Sequence, residues 1–148
     1  TNCSAPADSA AAGAPGAVPG AAPPPGPNTL LQLGIDQMRR GSHGAARRAF
    51  EDLLTQYPTA DIAPDALYWI ATTWSEEGNI AMADTVFAQV VQRFPQSSRA
   101  PTALYRRARI QLDRNNPAAA KTMLEQVVRQ WPRSDEAELA RDILRTLR

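Results

Sequence analysis

Few side chains in this sequence are equipped for covalent or acid–base chemistry. There is one histidine, His43, and one cysteine, Cys3. A histidine working as a general base needs a nucleophile held beside it in a cleft. His43 has no cysteine nearby and no second histidine, and reads as a solvent-facing turn residue. A single cysteine excludes an internal disulfide and a cysteine-rich metal site. Two readings of Cys3 stay open: the acylated residue of a lipoprotein tether, or an exposed thiol in a linker. A mature lipoprotein begins at its cysteine, and Asn2 is an unusual residue ahead of a cleavage site. The side chains better placed for a task are those of non-covalent recognition. Tyr68, Thr72 and Ser75 share one face of a helix. Their counterparts 37 residues later are Tyr105, Arg109 and Leu112, and 37 earlier Leu31, Ile35 and Met38. Tyr and Arg are the types most enriched at binding hot spots. The competing reading is that these residues pack neighbouring helices. Arg106, Arg107 and Arg109 suit an acidic partner or, beside Asp113, a solvated face.

The totals narrow the classes further. The 148 residues carry 16 basic and 15 acidic side chains, so no strong field draws in nucleic acid or anionic lipid. No apolar run approaches the roughly 18 residues of a membrane-spanning helix. No motif points to a cofactor, a metal or a small-molecule substrate, and the chain is expected not to be an enzyme. It starts at Thr1 without a methionine, which suggests a processed product or a cut piece whose export signal has gone.

Recognition residues need elements to hold them, and the elements repeat. Tyr57-Pro58, Phe94-Pro95 and Trp131-Pro132 recur every 37 residues. So do Gly34, Ala71 and Ala108; Ala46, Ala83 and Ala120; and Phe50, Phe87 and Leu124. Self-similarity at such a period marks a solenoid, whose units bury their apolar faces against one another. Residues 1–27 are a different material: twenty of the 27 are Ala, Pro or Gly, too little apolar surface to offset ordering entropy. They are expected to form a disordered, Ala/Pro/Gly-rich tether. From 28 to 148 the apolar stripes have helical spacing, as in Ala46, Ala49, Phe50, Leu53 and Leu54. Gly41, Gly78 and Asn115 stand where a helix would end in a left-handed residue. Ser42, Asn79 and Asn116 follow as candidate caps, and Asp61, Ser98 and Asp135 as caps for the first helix of the next unit, with Glu138 completing a near capping box. The spacing predicts helices near 28–40, 43–56, 62–77, 80–93, 99–114, 117–130 and 136–147, grouped as repeats 28–58, 62–95 and 99–132 plus a terminal cap. Leu139, Ala140, Ile143, Leu144 and Leu147 are expected to cover the last pair.

These units resemble tetratricopeptide repeats. The family places a small residue in the first helix, Ala early in the second, an aromatic four residues on and Pro at the close. Gly34, Ala46, Phe50 and Pro58 match, then Ala71, Ala83, Phe87 and Pro95, then Ala108, Ala120, Leu124 and Pro132. The period departs from the family's ~34 residues, which implies a longer first helix. Arg107 stands where a buried Leu or Ile is usual, so its stem must snorkel or the third pair packs less tightly. The resemblance implies an all-α, right-handed solenoid of three helix pairs plus a C-terminal capping helix. It also implies a concave groove lined by Leu31, Ile35, Tyr68, Thr72, Ser75, Tyr105, Arg109 and Leu112, which would hold another protein. Members that grip a terminal carboxylate use Lys and Asn at two positions of the first helix. Those positions hold Leu31 and Ile35, Tyr68 and Thr72, and Tyr105 and Arg109, so that ligand class is not expected.

Within the superfamily, Ala66-Leu67-Tyr68-Trp69-Ile70-Ala71, then Gly78-Asn79, Phe87, Val90-Val91 and Arg93-Phe94-Pro95, resemble the C-terminal domain of the CpoB (YbgF) family. That family comprises periplasmic coordinators of the Tol-Pal system. A proline-rich linker ahead of the repeats fits it as well; the trimerising coiled coil of many members is not visible. The resemblance implies a non-enzymatic role in the envelope at cell division, in the periplasm and in association with the outer membrane. The alternative is similarity to BamD-like lipoproteins of outer-membrane protein assembly, tethered to the membrane through Cys3. The residues ahead of Thr1 would separate the two: heptads for the first, a signal peptide with a lipobox for the second.

Overall fold

Glycine, asparagine and proline set where each helix starts and stops. The computed structural model describes residues 20 and 22–147. Cys3 and nearly all of the tether expected over 1–27 lie outside the described residues. Seven helices follow: α1 (Pro27–Arg39), α2 (His43–Gln56), α3 (Ala63–Glu76), α4 (Ile80–Arg93), α5 (Arg99–Asp113), α6 (Pro117–Gln130) and α7 (Asp135–Thr146). No strand occurs among the described residues. Every helix end falls within one residue of its expected position, because the same chemistry punctuates each unit.

At the close of α1, α3 and α5, Gly41, Gly78 and Asn115 take φ of 75°, 83° and 57°. Their left-handed turns let Ser42 N donate to Gln37 O at 2.9 Å, Asn79 N to Trp74 O at 2.9 Å and Asn116 N to Gln111 O at 2.8 Å. Carbonyls that the helix leaves orphaned are satisfied in this way. Asn79 and Asn116 then cap α4 and α6 by accepting from Met82 N and Ala119 N.

Four capping expectations are corrected. Ser42 makes no side-chain cap bond. Ile62, not Asp61, occupies the N-cap of α3. Ser98 has helical backbone angles (φ −60°, ψ −17°), where the extended backbone of a capping residue is missing, and its hydroxyl does not cap α5. Ser134 rather than Asp135 caps α7, accepting from Ala137 N at 3.1 Å. Asp135 is the first residue of that helix, and with Glu136 and Glu138 it puts negative charge where the helix dipole favours it. The start of the array shifts too. Pro27, assigned above to the tether, opens α1, since its fixed φ suits a first helical position. Tyr57 Oη donates to Pro25 O at 2.8 Å, which fastens the residues just ahead of α1 to the end of α2.

Each helix packs on its chain neighbours, and α5 also touches α3 and α7 directly. The first helices of the pairs thus converge on one side while α2, α4 and α6 lie behind them. The interior forms two apolar clusters. One joins α1 to α4 around Phe50, Leu53, Tyr68 and Phe87, with Ala103 and Ile110 contributed by α5. The other joins Leu104 and Ala108 of α5 to Leu124, Val127, Ala137 and Ala140. Leu139, expected to cover the last pair, is instead 48% exposed, and Leu33 of α1 is 46% exposed. Each is displaced from the buried stripe of its helix, which runs through Leu30 and Gly34 in α1 and Ala137 and Ala140 in α7.

The small residues of the repeat set helix spacing. In the first pair, a Cβ on Gly34 would lie 2.6 Å from Phe50 Cζ and closer still to Cε1, inside van der Waals contact. Gly34→Ala is therefore expected to destabilise the protein by about 1–3 kcal/mol through overpacking, despite alanine's better helix propensity. Adding Phe50→Leu should recover much of that loss, since the third unit already combines Ala108 with Leu124. Urea unfolding of the single and double variants measures both effects. A Gly34→Ala protein as stable as the parent would show that the ring moves aside freely.

Candidate partner-binding face

The face formed by α1, α3 and α5 is uneven in depth. Leu31, Ile35 and Met38 are half-buried against the first cluster. In the second unit Tyr68 is 7% and Thr72 8% exposed, so neither lines open solvent, contrary to the expectation of a solvent-lined groove there. The Tyr68 ring lies 5.6 Å from both Trp69 and Phe87. The guanidinium of Arg99, from the next pair, sits 4.6 Å over it. The Thr72 hydroxyl turns back to donate to Tyr68 O at 3.1 Å, a local bond that satisfies it without a partner. In the third unit the same face opens. Tyr105 and Leu112 are half-buried, and Arg109 is exposed. Ser75 and Arg109 border a cleft of about 360 Å³ together with Ile80, Arg106, Ile110, Asp113 and Arg114.

Charged pairs fasten the units to one another, and these were not read from the sequence. At the first junction Arg47 of α2 donates to Glu77, the residue that closes α3, at 2.8 Å, lies 3.7 Å over the Trp74 ring and reaches Thr73 Oγ1 at 3.3 Å. His43 shares a 2.9 Å hydrogen bond with Glu76 and lies 3.9 Å from Glu77. Its side chain is only 20% exposed, so it is a fastening between helices and not a solvent-facing turn residue. Arg99 Nε donates to Asp65 at 2.8 Å, joining α5 to α3. Thr102 donates to Glu136 at 2.6 Å, joining α5 to α7. Arg107 resolves its odd position in the repeat by donating to Asp84 of α4 at 2.9 Å, its stem packed and its head paired. The available signal was opposite charge 30 to 34 residues apart, close to but not at the period, as in Arg47–Glu77 and Asp65–Arg99.

A larger cleft, about 810 Å³, runs along the edge that carries the turns between units; Asp65, Arg99, Trp131, Arg133 and Glu136 are among its walls. Trp131 Nε1 donates to Pro95 O there at 3.1 Å, tying one aromatic–proline turn to the one before. Among the described residues, no cluster of three or more His, Cys, Asp or Glu is arranged to hold a metal, and no helix is long and apolar enough to cross a membrane.

Stacked helix pairs with one face left open to a ligand define a helical-repeat protein-interaction module. The chain belongs to the tetratricopeptide repeat-like domain family, which matches it over residues 30–147. No curated protein sequence matches it. Among solved structures, the N-terminal domain of stress-induced protein-1 (STI-1) from C. elegans superposes with a TM-score of 0.64 at 12% identity, over 78% of this chain and 92% of that one. The first tetratricopeptide domain of Spaghetti (RPAP3), bound to the HSP90 peptide SRMEEVD, gives 0.58 at 18% identity, over 82% and 89%. A thermophilic tetratricopeptide protein of Thermus thermophilus, TTC0263, gives 0.52 at 29% identity, over 82% of this chain and 65% of that one. Domains of this family are generally non-enzymatic protein-interaction modules, and the fold of this chain is that of a protein–protein interaction scaffold.

Proposed function

We propose that this scaffold works in the bacterial cell envelope, in the periplasm and close to the outer membrane, as the CpoB (YbgF) family does for the Tol-Pal system. It would hold a segment of an envelope or division protein along the face of α1, α3 and α5. The observation that carries the reading is the opening of that face in the third unit, where Tyr105, Arg109 and Leu112 stay accessible while their counterparts Tyr68 and Thr72 are closed. An accessible Tyr and Arg beside apolar neighbours is the composition of a binding anchor. The run from Ala66 to Ala71 and the proline-rich stretch before α1 support the family assignment.

A photo-crosslinking residue at Tyr105, expressed in the native envelope, tests the proposal. It should capture a division or Tol-Pal component, while the same residue at Glu125 of α6 should not. Equal capture from both positions, or none from Tyr105, would count against this face.

The second reading, a BamD-like lipoprotein subunit of an outer-membrane assembly machine, is favoured by Cys3 and by the 37-residue unit length. Labelling with an alkyne fatty acid separates them: incorporation that disappears in Cys3→Ser supports the lipoprotein. The HSP90 peptide bound by the Spaghetti neighbour is not transferred to this chain, because Tyr105 and Arg109 stand where the carboxylate-gripping members have Lys and Asn.

A further inference from the structure

The two junctions between units are built on equivalent positions with opposite charge logic. At the first, α2 supplies the Arg47 guanidinium and the His43 imidazole, and the end of α3 supplies Glu76 and, one residue on, Glu77, the carboxylates that meet them. Moving 37 residues along the chain replaces His43 by Ile80, Arg47 by Asp84, Glu76 by Asp113 and Glu77 by Arg114. The neutral Thr72 and Trp69 become Arg109 and Arg106. Asp84 is already engaged, since its carboxylate accepts from Arg107. Arg106, Arg109 and Arg114 form no ion pair among the described residues, whereas Arg47, Arg99 and Arg107 each do. The three unpaired guanidiniums and the Asp113 carboxylate surround the 360 Å³ cleft over Ile80. Three positive groups against one negative leave the cleft cationic, on an apolar floor.

We propose that this cleft is the seat for acidic side chains of the partner protein: an internal Asp- or Glu-bearing segment supplies the carboxylates that the second junction lacks. The proposal rests on the reading of this face as the partner-binding surface and gives that partner its chemistry. Arginine forks bind carboxylates with paired, charge-assisted hydrogen bonds, and an unfilled set of them against Ile80 and Ile110 favours an acid flanked by apolar residues. Arg106 has a second task, lying 5.3 Å over the Phe87 ring, so Arg109 and Arg114, both exposed, are the pair whose removal leaves packing alone.

The test uses the full chain and two fluorescent hexapeptides, one of glutamate and one of glutamine, with acetylated and amidated ends so that only side chains carry charge. The glutamate peptide should bind at least about fivefold more tightly, weakening as salt rises. The Arg109→Gln/Arg114→Gln variant should lose about tenfold of that affinity while melting at the parent temperature. Equal binding of the two peptides, or undiminished binding by the variant, overturns the proposal. Binding of anionic vesicles without binding of the glutamate peptide also overturns it, reassigning the patch to a lipid surface. Crosslinking from Tyr105 keeps the two readings apart. Capture that persists without acidic-peptide binding leaves the scaffold standing and removes only the acidic assignment, whereas loss of capture removes the face itself.

Discussion

Removing residues 135–148 should lower the melting temperature sharply and leave a protein prone to aggregate. Ala137 and Ala140 of α7 are fully buried, and Ile143, Leu144 and Leu147 pack half-buried on the second cluster. Full burial of a large aliphatic contributes about 1.5–3 kcal/mol. Three half-buried side chains therefore lose about 2–4 kcal/mol, and baring Leu124, Val127 and Trp131 adds a loss of similar order. Against a typical domain stability of about 5–15 kcal/mol, that leaves little. The Thr102–Glu136 bond between α5 and α7 goes as well. Leu139, largely exposed, contributes little, so Leu139→Ala alone should be nearly neutral. Circular dichroism melts of the truncated and full chains decide the matter. A truncated protein that melts within a few degrees of the parent would mean that α7 is not the lid on the third pair.

Tyr68→Ala and Tyr105→Ala should behave oppositely although the two residues are repeat equivalents. Tyr68 is buried between Trp69, Phe87 and Arg99, and its loss leaves a cavity at the centre of the first cluster. The expected destabilisation is about 3–5 kcal/mol, the range for large aromatics cut to alanine in a core. Tyr105 is half-buried at the rim of the second cluster, so its removal should cost stability much less. As an accessible aromatic anchor, however, it should weaken partner binding by about 1–3 kcal/mol. Urea unfolding beside a binding titration with the captured partner measures both quantities for both variants. The assignment fails if Tyr105→Ala unfolds as readily as Tyr68→Ala, or if it binds the partner undiminished.

The all-helical solenoid was legible because its punctuation is local. Gly41, Gly78 and Asn115 act through their own backbone angles, and Asn79 and Asn116 cap amides three residues away, so a one-dimensional pattern carries the information. The same locality misled at Ser42 and Ser98, where a suitable side chain sits on a backbone that does not aim it. The binding face was only partly legible. Its register along α1, α3 and α5 follows from helical spacing. Whether a given residue stays open depends on what the next pair lays over it, and Tyr68 is closed by Arg99, 31 positions away. The fastenings His43–Glu76, Arg47–Glu77 and Arg107–Asp84 were hidden for the same reason: their partners meet only after the units stack. Arg107 looked like a defect in the repeat until the carboxylate opposite it was in place.

The sharing of α5 between the two apolar clusters fixes how cooperativity travels along the array. One side of this helix belongs to the block of α1 to α4 through Ala103 and Ile110, and another to the block of α6 and α7 through Leu104 and Ala108. In a linear chain of coupled units, stability divides into intrinsic terms and nearest-neighbour terms. Here the two clusters are joined through α5, with Val91 of α4 packed against both. A fluctuation that frays α6 and α7 bares one flank of α5 and need not reach α1, so the C-terminal block can open as a foldon of its own while the N-terminal block stays protected. Amide hydrogens of α6 and α7 would then exchange ahead of those in α3. The helix that carries the open part of the face, α5, is thus the one whose flank such an opening would bare.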